Sequence, residues 1–477
     1  MDEKIKFGTD GWRGIIGFDF TADKIEMITS GICRYLKNKS GSPKVVIGYD
    51  TRFLSNKFAE ISARVLGKAN IKTYLSGDFI TTPVLSSAVV KNNADLGIMI
   101  TASHNPYYYN GYKIKGSYGG SATLDIAGEI ENCVNSLNIA DFQNTHANYP
   151  SNKNFSSNDN IEVKDFVPDY KKQILGLVDT GVIQNFDFSV LLDPMYGASQ
   201  DIFSEILENL SPGKIVKIHS SINPAFGSIN PEPIGDNLNE AVAKLKDSGC
   251  KLALCLDGDG DRIGALGEDG NFISSHHIFA IVLNYLLSYK KLSGKVVKTV
   301  STSSIVDRIC SKYGLELIIK PVGFKYINEE ILSSGVIMGG EESGGLWVQG
   351  YIPERDGILM SLILLEILCR AKKSANEILN EIYNEFGYFV YRRLDYEMDI
   401  VKKEKIKEVL TKGIPEILKS EGVIKVVTID GFKYILEDGS WLMIRPSGTE
   451  AVVRIYAESN TEEKLSRLHE LGRSIIE

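Results

Sequence analysis

The sequence lacks an excess of basic charge, a membrane-length apolar run and any paired-cysteine motif. Its 477 residues carry 53 Lys and Arg against 61 Asp and Glu, a formal charge of −8. That balance argues against polyanion binding as the main task and predicts no nucleic-acid partner, although a basic pocket can sit inside an acidic total. The most apolar stretches, Ile278 to Leu287 and Ile358 to Cys369, fall short of the roughly 20 residues a bilayer requires. Glu366 interrupts the second, so both read as buried helices and no membrane partner is expected. The six cysteines, at 33, 133, 250, 255, 310 and 369, form no Cys-x-x-Cys pair. Such sparse thiols fit a reducing cytoplasm and do not fit a disulfide scaffold or structural zinc. The opening MDEKIKFGTDG has no apolar run behind its charges and does not read as a signal or transit peptide, so it is expected to be the start of the mature chain. A Walker A pattern is absent, and Gly258, Gly260 and Gly264 miss the Gly-x-Gly-x-x-Gly spacing by one residue, which leaves nucleotide binding without support.

What is present points to a multidomain α/β protein. With 43% hydrophobic residues, the length suggests roughly three domains. Ile25, Ile28, Ile32 and Leu36 recur at helical spacing behind Thr21, which predicts a capped helix from Thr21 to Lys39. Short β-rich runs recur at Val45–Ile47, Ile98–Ile100, Val190–Leu192, Leu252–Leu256, Val296–Val297, Ile318–Ile319 and Val336–Met338, separated by helix-like stretches. Most stop at small or charged loops, and ligand chemistry in α/β domains gathers at the carboxyl ends of strands. The Asn- and Ser-rich segment from His146 to Asn160 is the best linker candidate. Domain edges are expected at 1–157, 158–263, 264–385 and 386–477. The last segment has a Lys/Glu-rich helical stretch, a hairpin-like Gly439-Ser440 turn and a closing helix from Thr461, which predicts a separate α+β unit.

Four loops carry chemistry. In Asp257-Gly258-Asp259-Gly260-Asp261-Arg262, three carboxylates at alternate positions on a glycine-loosened loop can converge on one hard divalent cation. An EF-hand is the competing pattern, with Glu268 at its twelfth position. Arg262 stands where that loop needs Gly, however, and a strand precedes it, so magnesium fits better. A solvated acidic turn is disfavoured, because three neighbouring Asp repel one another without a cation or Arg. In Thr101-Ala102-Ser103-His104-Asn105-Pro106, Ser103 is either a nucleophile at a strand end or a capping residue of a turn set by Asn105-Pro106. His104 suggests a Ser-His pair, yet adjacent residues in an extended loop tend to point apart and the Gly-x-Ser-x-Gly elbow is missing. Arg445-Pro446-Ser447-Gly448-Thr449-Glu450, with Arg454 beyond, offers charged and small donors to a phosphate dianion, and is also ordinary turn chemistry. Gly339-Gly340-Glu341-Glu342-Ser343-Gly344-Gly345 pairs two acceptors with a hydroxyl, a set suited to sugar hydroxyl groups or to a flexible acidic loop. Arg13, Lys113 and Lys325 are basic candidates to complete the site.

In this order the loops, with the opening segment 7–14, resemble the five signature segments of the α-D-phosphohexomutase family over essentially the whole chain. That family includes phosphoglucomutases, phosphomannomutases and phosphoglucosamine mutases. The resemblance implies three α/β domains and a smaller C-terminal α+β domain around one central cleft. It implies a phosphoserine at Ser103, Mg²⁺ held by Asp257, Asp259 and Asp261 together with Ser103, and sugar contacts from Glu341 and Ser343. Arg445, Ser447, Gly448, Thr449 and Arg454 are implied to grip the non-reacting phosphate, and Lys325 to lie near substrate. Arg13, Lys113 and Arg262 are implied to surround the transferred group, with Lys113 as the acid-base candidate, and His104 beside Ser103 is a further catalytic candidate. The implied substrates are small hexose phosphates, glucose 1,6-bisphosphate serves as activator and intermediate, and the assembly is a cytoplasmic monomer or homodimer. One departure bears on substrate: many phosphomannomutases and phosphoglucosamine mutases end the sugar loop in Ser-Gly-His, where this chain has Ser343-Gly344-Gly345. The Glu341-Glu342-Ser343 run resembles the glucomutase version, so glucose phosphates are the expected pair. Phosphoglucosamine mutase is the alternative, with a serine-dependent sugar phosphatase behind it.

Overall fold

The apolar periodicities of the chain resolve into four sheets, each with its own helices. The computed structural model describes residues 4–8, 11–142, 155, 160–184, 186–448 and 451–477. Most of the linker candidate 146–160 lies outside these residues, as do Thr9, Asp10, Thr449 and Glu450. The helix Ala22–Lys39 buries Ile25, Ile28, Ile32 and Leu36, and Thr21 accepts the Lys24 N–H at 3.4 Å as its cap. Each of the seven β-rich runs lies in a strand.

The first sheet runs Trp12–Ile15, Tyr109–Gly116, Leu96–Ile100, Lys44–Tyr49, Lys72–Ser76, Ile161–Lys164. Its last four strands are parallel. The edge strand Ile161–Lys164 joins this sheet although it lies past residue 157, where the sequence reading ends the first domain. The second sheet runs Phe272–Ile273, Ile263–Gly267, Leu252–Leu256, Val190–Asp193, Ile215–Lys217. Its antiparallel pair Leu252–Leu256 and Ile263–Gly267 holds the acidic loop between its ends. The third sheet is Leu317–Lys320, Lys295–Thr299, Val336–Gly340, Leu346–Val348. The fourth is wholly antiparallel, in the order Val390–Glu397, Val452–Ser459, Trp441–Pro446, Phe432–Leu436, Val423–Val427, with helices Ile400–Thr411 and Glu462–Ile476. An α/β fold with a C-terminal antiparallel sheet domain is thus what the chain adopts.

One apolar core runs from a face of the first sheet through the second to the third. The two most apolar stretches lie in Ser275–Ser288 and Gly357–Ala371, both buried almost throughout. Each fully buried Ile or Leu there contributes about 1.5–3 kcal/mol. Glu366 is tolerated in this core because Tyr285 Oη donates to it at 2.6 Å, the Asp179 N–H at 3.0 Å, and Lys290 Nζ pairs with it at 2.8 Å. Among the described residues no helix is long and apolar enough to cross a membrane.

The carboxyl end of Val190–Asp193 is pinned by an ion-pair chain. His219 Nδ1 lies 2.9 Å from Asp193 Oδ1 and Nε2 3.0 Å from Glu240 Oε2. Burial alone would lower the imidazole pKa, but hydrogen bonds and charge from the two carboxylates raise it to about 9 from 6.5. A raised folded-state pKa means that the stabilisation is full below 6.5 and is lost as pH rises through 9. Thermal melts across that interval should therefore show a steeper loss of stability in the wild type than in His219→Gln. Parallel pH profiles would contradict the ion-pair account.

Candidate active site

Ser103 sits just past the strand Leu96–Ile100, in a turn that a single arginine holds. Its φ of 52° is left-handed, a conformation that costs a non-glycine residue roughly 1–2 kcal/mol. Buried Arg52 offsets this by donating to four carbonyls of the loop: Ser103 at 2.6 Å, Asn105 at 2.7 Å, Pro106 at 2.9 Å and Tyr109 at 3.1 Å. Arg52 is in turn paired with Asp50 at 3.2 Å, and Asp50 accepts the Thr101 hydroxyl at 2.6 Å. The turn and the nucleophile readings are compatible, because the turn aims Ser103 Oγ at Asp257 Oδ2, 2.8 Å away. His104 does not point apart as expected of an extended loop: the left-handed turn brings its Nδ1 to 3.3 Å from Ser103 Oγ. Burial, then the charges of Arg262, Arg13, Arg393 and Lys113, hold its pKa well below the ordinary histidine value. The imidazole is neutral, and cations crowd the serine.

Asp257, Asp259 and Asp261 are all fully buried, each offering an oxygen within 4.8 Å of the others. Asp257 Oδ1 accepts the Arg262 N–H at 3.0 Å. Asp259 Oδ2 accepts Thr82 Oγ1 at 2.5 Å and Lys113 Nζ at 2.8 Å. Asp261 Oδ2 accepts Arg355 Nη2 at 2.6 Å and Lys113 Nζ at 3.3 Å, while its Oδ1 has no hydrogen-bond partner. Burial, then Asp261 and Asp259, push the Asp257 carboxyl well above its ordinary pKa. Three buried carboxylates that destabilise one another, with an Asp261 oxygen that accepts no hydrogen bond, fit a hard divalent cation such as Mg²⁺. The loop glycines do not loosen it. A Cβ on Gly258 would fall 2.5 Å from the Ser103 carbonyl, and one on Gly260 2.7 Å from Thr81 Cγ2, so these glycines permit close packing against the serine loop and against the cap of the helix Thr82–Lys91.

The remaining candidates surround this centre. Arg13, in Trp12–Ile15, donates to Asn105 Oδ1 at 2.5 Å. Arg262 pairs with Glu232 at 3.2 Å and stands 3.8 Å from Asp257. Glu341 and Glu342 are not a joint pair of acceptors. Glu341 Oε1 accepts Ser343 Oγ at 2.7 Å and Arg355 Nη1 at 2.8 Å, whereas Glu342 turns back to Thr299 and Ser301 at 2.9 and 2.7 Å. Lys325 lies in the first turn of Phe324–Leu332. The loop before it meets the Arg445 loop, since Asp430 accepts the Val322 N–H at 3.0 Å and pairs with Arg445 at 3.0 Å. Arg445 and Arg454 are cross-strand partners, and Arg454 pairs with Asp395 at 3.2 Å. Ser447 closes the hairpin through its N–H to Val452 O at 2.9 Å, and Gly448 is exposed. Thr449 lies outside the described residues.

The structure therefore gathers Ser103, His104, the three Asp, Lys113, Arg13 and Arg262 into one cluster and ties Glu341 and Ser343 to it through Arg355. Arg445, Ser447 and Arg454 form a second cationic group on the C-terminal sheet. Sequence reasoning missed Arg52, Arg355 and Arg393, the last held by Asp395 at 2.7 Å and close enough to bear on His104. Only the position of Arg52 at the end of a strand-terminating loop offered a signal.

Comparison with known proteins gives a concordant picture. The phosphoglucomutase/phosphomannomutase α/β/α domains I, II and III match residues 4–140, 168–270 and 274–386, and the C-terminal domain of the same family matches 400–471. A phosphoglucomutase/phosphomannomutase of Thermococcus kodakarensis is 29% identical, with 99% of this chain and 98% of that protein covered. A phosphoglucosamine/phosphogalactosamine mutase of Sulfurisphaera tokodaii is 28% identical, with 99% of both covered. A crystal structure from Thermus thermophilus that carries the phosphomannomutase name superposes with a TM-score of 0.84 at 30% identity over 100% of both chains. With all four domain types present in order, the chain belongs to the α-D-phosphohexomutase family and is a mutase, an isomerase-type phosphotransferase.

Proposed function

We propose that this mutase interconverts hexose 1-phosphate and hexose 6-phosphate, glucose phosphates first and mannose phosphates second, through phospho-Ser103 and a bisphosphorylated sugar. The observation that carries the reading is Ser103 Oγ at 2.8 Å from Asp257 in a ring of cations. Relatives named for glucose, mannose and glucosamine substrates stand at nearly equal identity. The preference for glucose therefore rests on the Glu341-Glu342-Ser343-Gly344-Gly345 loop.

In the forward half-reaction a sugar hydroxyl attacks phosphorus in line, the Ser103 Oγ–P bond breaks, and the hydroxyl proton passes to the departing serine oxygen. Lys113, between Asp259 and Asp261, is the proposed relay for that proton. Arg13 and Arg262 stabilise charge spread over the transferring oxygens. Mg²⁺ held by Asp257, Asp259 and Asp261 would partly neutralise the phosphate dianion. The bisphosphate then turns end for end, its other phosphate returns to Ser103, and glucose 1,6-bisphosphate recharges any serine lost to hydrolysis. Arg445, Ser447, Gly448, Thr449 and Arg454 must accept either phosphate, while Glu341 and Ser343 read hydroxyls that survive the turn. Closure of the C-terminal domain would exclude water from the phosphoserine.

Ser103→Ala should abolish turnover while glucose 1-phosphate still binds in calorimetry; full activity would refute the carrier role. Asp259→Asn should raise the Mg²⁺ concentration for half-maximal rate at least about 10-fold, the loss that even outer partners of a metal ligand cause. An unchanged requirement would refute the cation assignment. An assay of glucose, mannose and glucosamine 1-phosphates should rank glucose first. Sustained phosphate release without isomerisation would favour the phosphatase reading instead.

A further inference from the structure

Gly345, where the chain departs from Ser-Gly-His, has a neighbour that a Cβ would force to move. A Cβ on Gly345 would lie 2.2 Å from Arg355 Cδ, 3.0 Å from its Cγ and 2.9 Å from Glu341 Oε1. The arginine stem thus lies directly across the Gly345 backbone, with the guanidinium 5.3 Å above the Phe324 ring. Its fork divides between two loops: Nη1 donates to Glu341 Oε1 at 2.8 Å and Nη2 to Asp261 Oδ2 at 2.6 Å. The backbones of these loops also meet, since the Ile263 N–H donates to Gly344 O at 3.2 Å, and the segment that carries Arg355 is tied to the metal loop by the Gly357 N–H to Gly260 O at 3.1 Å.

We infer that Arg355 is a positioning and specificity residue that couples the metal loop to the sugar loop, and that Gly345 exists to admit it. The inference rests on the proposed roles of Glu341 and the three Asp. Two consequences follow from the fork. With Arg355 and Lys113 on Asp261 Oδ2, Oδ1 accepts no hydrogen bond, Arg262 Nε standing 3.9 Å from it, and is the oxygen left for a cation, so Arg355 orients a ligand it does not itself replace. Arg355 and Ser343 both donate to Glu341 Oε1, and the guanidinium, shared with Asp261 and 3.8 Å from Glu354, reduces the negative charge that Glu341 presents, so its remaining oxygen favours a neutral hydroxyl over an ammonium. The loop therefore selects hexose over amino-hexose phosphates, and does so by a built-in positive charge rather than by shape. A side chain at 345 would displace the arginine stem from this placement, and its hold on both carboxylates should loosen together.

The test compares Arg355→Ala, Gly345→Ala and the double variant by Mn²⁺ titration followed by electron paramagnetic resonance, and by kcat/KM for glucose 1-phosphate against glucosamine 1-phosphate. Arg355→Ala should weaken Mn²⁺ about 10-fold and shift the sugar ratio toward glucosamine by about 10-fold. Gly345→Ala should reproduce both effects, and the double variant should be no worse than Arg355→Ala, because the two residues act as a unit. Wild-type Mn²⁺ affinity in a folded Arg355 variant, an unmoved sugar ratio, or additive losses in the double variant would overturn the inference. Should Arg355→Ala fail to fold, Arg355→Lys takes its place: it keeps the charge and loses the fork, so Mn²⁺ binding should fall while the sugar ratio holds, and the reverse would refute the coupling. If the wild type turns over neither sugar, the proposed activity fails, while the Mn²⁺ titrations still decide the coupling.

Discussion

Three carboxylates buried within a few ångströms of one another are the constraint on which the rest of the site depends. Asp257, Asp259 and Asp261 repel each other in a low-dielectric interior, and such an arrangement persists only if positive charge is brought to it. The chain supplies Lys113 from the first sheet, Arg262 from the loop itself and Arg355 from beyond the third sheet. Of these, Lys113 and Arg262 also bear on His104 beside Ser103, together with Arg13 and Arg393. Charges that make the acidic loop tolerable thus also hold His104 neutral, and in the proposed mechanism they are what lets Ser103 carry a phosphoryl group.

The loops stay in place because backbone meets backbone. Gly258 packs on the Ser103 carbonyl, Gly260 on Thr81, and Gly344 on Ile263, each at a distance that a side chain would forbid. The Thr82 N–H donates to Asp259 O at 2.9 Å, so the helix Thr82–Lys91, which precedes the serine strand, also grips the acidic loop. Arg52 adds four carbonyl contacts from one buried group, holding the strained Ser103 turn from behind. Charge compensation sets what the site contains, and close packing sets where each oxygen points.

Much of this was legible in the residue pattern. The Thr21 cap with its helical spacing, the seven apolar runs and the loops at their carboxyl ends all reflect local rules of periodicity and turn chemistry, and these loops converge as the α/β arrangement leads one to expect. What escaped was non-local. Arg52, Arg355 and Arg393 carry no motif, because an arginine acquires its role only from the carboxylates and carbonyls that folding brings to it. Glu341 and Glu342 are neighbours in sequence, yet the turn that follows the strand Val336–Gly340 sends one to Arg355 and the other to Thr299 and Ser301. His104 was misjudged because a left-handed serine was not foreseen. The strand Ile161–Lys164 joins the first sheet through pairing with Lys72–Ser76 across a long stretch of chain, which composition alone does not reveal.

The account stands or falls on Ser103 as the carrier of the transferred group. A rapid-quench experiment with radiolabelled glucose 1,6-bisphosphate, followed by peptide mapping, tests this directly. Label should appear on the peptide containing Ser103 and pass to hexose monophosphate at a rate matching kcat. Label found on another residue, or released only as inorganic phosphate, would contradict it.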